Sequence, residues 1–506
     1  MCGIAGLWGE VDQTLLQQMI AKVAHRGPDG SGVHVEPHTG VLGHCRLAIM
    51  DPVGGAQPIY NEARSMAVVA NGEIYNFPNL RADLAGRHRL ATTSDSEVIL
   101  HLFEERQDDL VAALEGMFAF ALNDGERLFL ARDPIGIKPL YYGTGKNGSA
   151  RPAFYFASEL KALADWAEDL HEFPPGNYFD STRGFVRYYE LPDVEPEARP
   201  VAEQVQRIRQ GLEAAVASHL MSDVPVGAFL SGGLDSSVIA ALAKRHVREL
   251  HTFSVGVAGS NDLLAARRVA QHIGSIHHEY LFTPDEVRSL LPEIIYYLES
   301  FDQDLVRSAI PCYFCARLAA EHVKVILTGE GADELFAGYK YHKEIGDPAT
   351  LHKELRRAVT TLHNINLQRV DRLTMRHGVE GRVPFLDTRF IHLALSVPPD
   401  LKLMADRTGR RMEKWILRKA CEDLLPPEIV WRTKEQFDEG SGTVDVLAEA
   451  LRPELETMDF PAYRSSVAEP LRSPEEAIYH RRLTEAYSRP QVVLSNVARW
   501  VADRVC

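Results

Sequence analysis

The stretch VPVGAFLSGGLDSSVIAAL (residues 224–242) decides the fold of the larger part of this chain of 506 residues. An apolar run, a turn with two glycines and a helical pattern follow one another, which predicts a strand, a tight turn and a helix. The first backbone N–H groups of a helix lack partners within it, and the helix dipole favours negative charge there. Residues 231–237 are therefore predicted to bind phosphate oxygens. The lysine with which a P-loop reaches a γ-phosphate is missing, so transfer of that group is not implied.

The same alternation continues on the C-terminal side of this stretch. Apolar runs such as LHTFSVGV (250–257) and VKVILTG (323–329) alternate with helical patterns, which is typical of βαβ units and a parallel sheet. The second run leads into a turn with three carboxylates, GEGADE (329–334). Carboxyl ends of parallel strands meet at one edge of the sheet, and Mg²⁺ that binds phosphates commonly uses one or two carboxylates. Asp235 and Asp333 are therefore predicted to be magnesium ligands.

A segment rich in proline and acidic residues, LPDVEPEARPVAEQ (191–204), divides the chain into two parts. We interpret residues 191–205 as a linker. Residues 1–190 carry many short strand patterns with interleaved helices, which indicates a layered α+β domain. Residues 206–506 form the α/β part with the parallel sheet, and the pattern is mostly helical after residue 345.

Composition and charge narrow the classes of function. The 55 basic and 70 acidic side chains give a net charge of −15, which argues against binding to a nucleic-acid backbone. The six cysteines are too scattered for a disulfide framework and fit a reducing compartment. We find no apolar run of about eighteen residues, the length that spans a bilayer, and no signal region. We expect a cytoplasmic protein with neither nucleic-acid nor membrane partners.

The sequence begins MCGIAG (1–6), with a cysteine directly after the initiator methionine. Removal of the methionine makes Cys2 N-terminal, so that its α-amine, with an ordinary pKa of about 7.7–8.0, can serve as the base for its own thiol. The side-chain amide of Asn71 and the N–H of Gly72 are candidates for an oxyanion hole. Each feature alone has an ordinary structural explanation, such as a turn pair.

Two charged residues complete this set. Arg46 can hold a carboxylate with two parallel hydrogen bonds, and Asp95 can bind an ammonium, although a helix cap is the ordinary explanation of its position. Nucleophile, base, oxyanion donors and two charged groups together meet the needs of hydrolysing the carboxamide of glutamine.

Five motifs of the first part occur in the order found in class II glutamine amidotransferase domains, which have the fold of N-terminal nucleophile hydrolases. The matching motifs are MCGIAG, HRGPDG (25–30), RLAIMD (46–51), NGEIYN (71–76) and SDSEVIL (94–100). The resemblance implies that Cys2 attacks the amide of glutamine and that ammonia is passed to a second site. It also implies that glutamine is bound by Arg46, Asn71, Glu73 and Asp95.

Residues 231–237 resemble the pyrophosphate loop of the ATP pyrophosphatases, which split ATP between its α and β phosphates. With HGVEGRVPFLD (377–387), MEKWILRKA (412–420) and WRTKEQFDEG (431–440), nearly the whole chain resembles the asparagine synthetase family. The resemblance implies a ligase in which ATP adenylates aspartate and ammonia from glutamine displaces AMP, and it suggests a homodimer. ATP is then a co-substrate and Mg²⁺ a cofactor.

The resemblance also assigns residues of the second site. Glu330 matches the glutamate that helps to deprotonate the attacking ammonium, and Lys434 matches the lysine that stabilises charge at phosphorus. Arg307 matches an arginine that binds the acceptor. We assign binding of ATP and pyrophosphate to Leu230, Ser231, Gly232, Gly233, Asp235, Ser236, Val257, Thr328 and Gly329.

One stretch departs from the family pattern, because Asp304 and Leu305 stand where the family has a pair of threonines before the arginine. A related synthetase that adenylates another carboxylate therefore stays open as an alternative, although β-lactam-forming relatives lack both Cys2 and Glu330. A binding protein with a vestigial fold and a free-standing glutaminase are less favoured, because the motifs of both sites are intact.

Two further patterns are interpreted as structural. CYFC (312–315) places its two cysteines on one face of a helix, which favours core cysteines over a metal or redox pair. HHE (277–279) lies in a strand pattern, where adjacent side chains point to opposite faces.

Overall fold

The computed structural model describes residues 2–145, 152–405, 409–435 and 437–500. Its first part contains two antiparallel sheets of six strands, with the orders β10-β8-β9-β1-β3-β2 and β12-β11-β7-β6-β5-β4. The strands are β1 (Cys2–Trp8), β2 (Gly30–Glu36), β3 (Gly40–Arg46), β4 (Ile59–Tyr60), β5 (Ala67–Ile74), β6 (Gly116–Asn123), β7 (Leu128–Arg132), β8 (Tyr141–Gly145), β9 (Ala153–Ala157), β10 (Ala167–Glu172), β11 (Asn177–Asp180) and β12 (Gly184–Arg187).

The two sheets stack face to face and are covered by helices on both outer sides. Apolar side chains of both sheets, such as Ile4 and Phe156 from one and Val69 and Leu130 from the other, fill the space between them. The helices are α1 (Gln13–Val23), which covers the first sheet, and α2 (Phe77–Leu84) and α3 (Glu97–Arg106), which cover the second. This arrangement of four layers confirms the predicted α+β domain.

The alternation of side chains along β1 determines which face of the sheet Cys2 lies on. Side chains two residues apart in a strand lie on the same face, so Cys2 shares the face of Ile4, which is buried between the sheets. The end of β1 thus brings the thiol to the rim of the cleft between the two sheets.

The second part is built around a parallel sheet with the order β15-β14-β13-β16-β17, as predicted. Its strands are β13 (Val226–Phe229), β14 (His251–Gly256), β15 (Ile276–Leu281), β16 (Val325–Leu327) and β17 (Glu380–Arg382), with a small hairpin of β18 (Leu403–Ala405) and β19 (Arg411–Glu413). Its helices are α4 (Val201–His219), α5 (Leu234–His246), α6 (Asn261–Ile273), α7 (Pro284–Leu298), α8 (Gln303–Ala320), α9 (Ala332–Leu335), α10 (Pro348–Thr360), α11 (Asn366–Met375), α12 (Thr388–Leu395), α13 (Pro399–Lys402), α14 (Trp415–Ala420), α15 (Pro427–Val430), α16 (Phe437–Gly440), α17 (Thr443–Thr457), α18 (Phe460–Ser466), α19 (Pro474–Ala486) and α20 (Pro490–Leu494).

The predicted linker is too long by five residues. Residues 191–200 form neither helix nor strand, but α4 begins at Val201. Its buried residues Gln204, Ile208 and Leu212 are spaced by four, as on one face of a helix. The composition of this segment does not reveal where α4 begins. Pro200 directly precedes its first turn, and only the residues after Pro200 show the helical period.

The structure supports the interpretation of CYFC as a pair of core cysteines. Cys312 and Cys315 are both buried on α8, 3% and 2% exposed, which fits core cysteines. Within the described ranges, no helix combines the length and the apolar character needed to cross a membrane.

A buried network of ion pairs joins the two parts. The guanidinium of Arg26 lies 2.6 Å from a carboxylate oxygen of Glu159 in the first part and 2.7 Å from one of Asp371 in the second. Arg372 contacts Glu299 at 3.0 Å, and Lys161 bridges Glu159 and Glu299. Since these groups are removed from water, each charge depends on its partners.

Replacing Asp371 with asparagine is expected to destabilise the protein by about 3–5 kcal/mol, because Arg26 then stays buried without a full counter-charge. Urea unfolding followed by circular dichroism measures this loss. The matched control is Glu190→Gln, which breaks the exposed pair of Arg187 and Glu190 and should leave the midpoint unchanged. Equal midpoints for Asp371→Asn and the wild type would contradict the assignment.

Candidate active sites

Cys2 lies at the start of β1 with its backbone held from two sides. Its N–H donates to the side-chain oxygen of Asn71 at 3.0 Å, and Nε of Arg26 donates to its carbonyl oxygen at 3.0 Å. The residue is 7% exposed, and burial raises the pKa of its thiol. A neutral thiol needs a base to become a nucleophile.

Asn71 and Gly72 stand beside this thiol on β5. Within the described part of the chain, Nδ2 of Asn71 is buried and has no hydrogen-bond partner, so a donor is available near Cys2. Gly72 has φ of +144°, and a Cβ at this position would lie 2.0 Å from the carbonyl oxygen of Met117 on β6. Both the backbone conformation and this close approach require glycine.

The structure brings the predicted charged residues to the same region. Asp95 accepts from the N–H of Ile74 at 2.7 Å, and burial raises its pKa to about 6. Burial and the neighbouring Asp95 also raise the pKa of Glu73, one of whose oxygens is buried without a partner among the described residues. Arg46 donates to the carbonyl oxygens of Met50, Asp51 and Pro52, and so fixes the turn after β3.

Two residues of the second part reach this first site, which the sequence reasoning missed. Arg382 on β17 is fully buried, and its guanidinium lies 3.3 Å from Glu73. Glu380, two residues before it, contacts the same guanidinium and is close enough to Cys2 to raise the pKa of the thiol further. Both lie in the motif HGVEGRVPFLD, but the sequence gives no sign that this motif faces β5.

The second site is a cavity of about 820 Å³ at the carboxyl ends of β13 and β16. The two predicted turns meet there so closely that a Cβ on Gly329 would lie 2.8 Å from Cβ of Asp235. The predicted residues that line it are Leu230, Ser231, Gly233, Asp235, Ser236, Thr328, Gly329, Glu330, Asp333 and Lys434.

Lys414 lies between the two predicted magnesium ligands. Its Nζ is 2.5 Å from a carboxylate oxygen of Asp235 and 2.5 Å from one of Asp333, and Lys434 also contacts Asp333. Although burial opposes it, the two carboxylates raise the pKa of Lys414. Burial likewise opposes the effect of the two lysines, which lower the pKa of Asp333. Lys414 was missed, although it lies in the motif MEKWILRKA.

The carboxylates fit a divalent cation. Oδ1 of Asp235 is buried and has no hydrogen-bond partner in the described ranges. Its Oδ2 and an oxygen of Asp333 already converge on one positive charge. Two carboxylates that face one point beside a predicted phosphate loop form the donor set that Mg²⁺ uses with a nucleotide.

Helix α11 connects the two sites. Arg369 on this helix forms an ion pair with Glu330 in the cavity, whereas Asp371 pairs with Arg26, which holds the carbonyl of Cys2. Residues two positions apart lie on opposite sides of a helix. The helix therefore stands between the sites, with one of these contacts on each side.

Comparison with known proteins finds two families that match successive parts of the chain. The glutamine amidotransferase domain family matches residues 1–222, and the asparagine synthase family matches residues 207–346 and 343–501. The chain belongs to the asparagine synthase family.

Several members of the asparagine synthase family are similar over nearly the whole chain. A probable asparagine synthetase (glutamine-hydrolyzing) of Dictyostelium discoideum is 39% identical, covering 99% of this chain and 96% of that one. Asparagine synthetase 2 of Oryza sativa subsp. japonica is 40% identical, with 96% and 85% covered, and asparagine synthetase B of Escherichia coli (strain K12) is 38% identical, with 96% and 91% covered. A solved glutamine PRPP amidotransferase from B. subtilis matches at 20% identity and a TM-score of 0.32, covering 51% and 67%.

Three predicted residues lie outside the lining of the cavity of this asparagine synthase family member. Arg307 forms a bidentate ion pair with Glu475 on α19, at 2.8 and 2.7 Å, because α8 turns Asp304 and Leu305 toward the cavity and Arg307 to the side. The N–H of Val257 donates to the carbonyl oxygen of Ser441. Gly232 has φ of +73° and accepts from Arg432 through its carbonyl oxygen. These three residues do not line the cavity in this structure, and their assignment to binding stays a prediction.

Proposed function

We propose that this protein is a glutamine-dependent asparagine synthetase. Glutamine is hydrolysed at Cys2 to glutamate and ammonia, while aspartate and ATP form aspartyl-AMP and pyrophosphate in the cavity. Ammonia then displaces AMP and yields asparagine. The observation that supports this proposal most strongly is the pair of sites, one with a thiol and one with a phosphate loop, on the two sides of α11.

In the first site the residues of this chain supply every group for amide hydrolysis. After removal of the first methionine, the amine of Cys2, whose nitrogen lies 3.0 Å from Asn71, takes the proton of the thiol. The thiolate attacks the carboxamide carbon, and the oxyanion that forms receives hydrogen bonds from Nδ2 of Asn71 and the N–H of Gly72. The amine then protonates the leaving ammonia, and water releases glutamate from the thioester.

The charged residues of the first site hold the amino-acid end of glutamine. Asp95 and Glu73 are buried carboxylates with raised pKa values, and the ammonium of glutamine offers them a counter-ion. Arg46 gives up contacts with the carbonyl oxygens of the turn to bind the carboxylate. This exchange is inexpensive because the turn stays exposed to water.

The acidic limb of the pH profile tests the role of Asp95. Burial raises its pKa to about 6, so the free enzyme carries a neutral acid below this pH, which binds an ammonium poorly. We expect kcat/KM for glutamine hydrolysis to fall by a further tenfold per pH unit below about pH 6, as a step added to the decline that protonation of the α-amine of Cys2 causes at higher pH. In Asp95→Asn the step should disappear at a lower overall rate. A wild-type profile without this step would contradict the role.

In the second site, the turn of residues 231–237 and two lysines face the phosphates of ATP. Lys434 contacts Asp333. From this position its ammonium can neutralise charge that develops at the α-phosphorus. Asp235 and Asp333 would hold Mg²⁺, which neutralises the leaving pyrophosphate. Lys414 would then keep Oδ2 of Asp235, which leaves the unpartnered Oδ1 for the ion.

Glu330 is proposed to take the proton from the attacking ammonium. It forms an ion pair with Arg369, which is 7% exposed and belongs to α11. This contact with α11 supports a role for Glu330 on the side of the cavity nearest the first site, and we propose that ammonia enters there.

Aspartate-dependent exchange of labelled pyrophosphate into ATP tests the acceptor without any need for glutamine. We expect exchange with aspartate and none with glutamate, β-alanine or buffer alone. Exchange with another acid and none with aspartate would show that the chain adenylates a different carboxylate.

One observation favours that second candidate, a synthetase for another carboxylate. Asp304 lines the cavity and pairs with Arg472 at 3.0 Å, while Arg307 is held by Glu475. An acceptor with a positively charged group opposite its carboxyl would suit Asp304.

A further inference from the structure

A second group of ligand-type side chains lies on the outer helical layer of the first part and shares no residue with either site. It consists of Glu62 in the loop after β4, His88 in the turn after α2, and His101 and Glu104 on α3. One ligand atom from each residue can be chosen so that all four lie within 4.8 Å of one another. From this convergence we propose that the four residues bind one structural Zn²⁺ ion.

The distances between the ligand atoms match those around a tetrahedral zinc ion. Oε2 of Glu104 is 3.4 Å from Nδ1 of His88 and 2.9 Å from Nδ1 of His101. The two oxygens of Glu62 divide their contacts, with Oε1 3.8 Å from Nδ1 of His88 and Oε2 3.7 Å from Nδ1 of His101. With bonds of about 2.0–2.2 Å to nitrogen and oxygen, the corners of a tetrahedron are about 3.3–3.6 Å apart. Oε2 of Glu104 already lies near this spacing from both nitrogens, and a rotation of the Glu62 carboxylate would bring one of its oxygens toward both.

The outer atoms of His88, Glu104 and Glu62 are held by hydrogen bonds, whereas Nε2 of His101 is buried without a hydrogen-bond partner among the described residues and has Glu97 as its neighbour. A carboxylate commonly faces the far nitrogen of a metal-bound histidine and fixes the orientation of its ring. Nε2 of His88 lies 3.1 Å from Glu105, and Nε2 of His101 lies 3.8 Å from Glu97. The second oxygen of Glu104 accepts from Asn61 at 2.8 Å, and Glu62 accepts from the N–H of Arg89 at 2.8 Å.

Charge and burial favour a dication here. Four carboxylates, of Glu62, Glu97, Glu104 and Glu105, surround the two imidazoles, and the arginines beside them contact only the outer two. The side chain of His101 is 1% exposed and that of His88 is 15% exposed, so the imidazoles are largely removed from water. Two imidazoles exclude Mg²⁺ or Ca²⁺ as the preferred ion, and four protein ligands leave no open position for chemistry. The ion is therefore structural.

The three histidines His251, His278 and His322 form a contrasting group. Their rings are stacked within 8° to 24° of parallel, with centroids 3.9–5.7 Å apart. This group contains no carboxylate to balance a dication, whereas the rings of His88 and His101, tilted by 34° with centroids 4.6 Å apart, are joined by Glu62 and Glu104. This group supplies the control.

The ion ties together three segments next to the glutamine site. It joins the loop after β4, the turn before residue 91 and helix α3, whose N-terminal approach carries Asp95. Glu97 also accepts from the N–H groups of Ala91 and Thr92 at 2.5 and 2.8 Å. A bound ion would therefore fix the position of the segment before α3 that carries Asp95.

The test uses the full chain, purified without a polyhistidine tag, incubated with one equivalent of ZnCl₂ and dialysed. Mass spectrometry of the metal content should find one zinc per chain in the wild type and in His278→Gln, and none in His88→Gln or Glu62→Gln. Co²⁺ should give the visible bands of a four-coordinate ion in the wild type, and Zn²⁺ should remove them. Glu105→Gln should weaken zinc binding by about 10–100-fold.

Three results would overturn the proposal: a wild type without zinc after dialysis, retention of zinc by both His88→Gln and Glu62→Gln, or equal loss of zinc in His278→Gln. Since the side chain of Glu62 is 38% exposed, Glu62→Gln keeps the test valid even where a histidine variant fails to fold. EDTA should lower the unfolding temperature of the wild type and leave that of Glu62→Gln unchanged.

Discussion

Cys2→Ala is expected to abolish asparagine synthesis from glutamine and to leave synthesis from ammonium salts at the wild-type rate. Without the thiol no thioester forms, and loss of a catalytic nucleophile lowers amide hydrolysis by about 10⁴-fold or more. The cavity with Asp235 and Asp333 lies on the other side of α11, so adenylation is unaffected. Asparagine formation with each nitrogen donor measures both activities.

Cys45→Ala is the matched control for this variant. Cys45 is a second buried thiol, paired with Gly3 across β1 and β3, and its Sγ donates to the carbonyl oxygen of Val23. Its replacement should preserve the use of glutamine. Loss of both activities in folded Cys2→Ala protein would contradict the separation of the two sites.

Lys434→Ala is expected to give the opposite result. Adenylation should fall by about 10²–10³-fold, as for removal of one charged donor to a developing negative charge, while glutamine hydrolysis continues. Pyrophosphate release and glutamate release from the same reaction measure the two effects.

The control for Lys434 is Lys340→Ala. The side chain of Lys340 is 67% exposed and pairs with Glu439 outside the cavity, so both rates should stay at the wild-type level. Pyrophosphate release at the wild-type rate in Lys434→Ala would show that this lysine does not act on the phosphates.

The parts of both sites that depend on local pattern could be predicted from the sequence. The apolar strand and glycine turn around Ser231, and the carboxylate turn around Asp333, each follow from one continuous stretch. Their meeting at one edge follows from the rule for parallel sheets. Asn71 and Gly72 beside Cys2 came from the combination of chemical needs and from the resemblance to a family.

The contacts between the two parts could not be predicted. Arg26 pairs with Asp371, 345 residues away, and Arg382 reaches Glu73 from β17. No periodicity links residues at such separations, because only the packing of two separate domains brings them together. The position of Arg307 outside the lining of the cavity has a similar cause, because Glu475 on the distant helix α19 binds its guanidinium.

The central claim is that glutamine hydrolysis and adenylation of aspartate serve one reaction, and product stoichiometry tests it most directly. The purified protein is incubated with aspartate, glutamine and Mg-ATP, and the products are quantified by mass spectrometry. We predict asparagine, AMP, pyrophosphate and glutamate in equal amounts. Glutamate with unchanged ATP, or AMP without asparagine, would contradict the account.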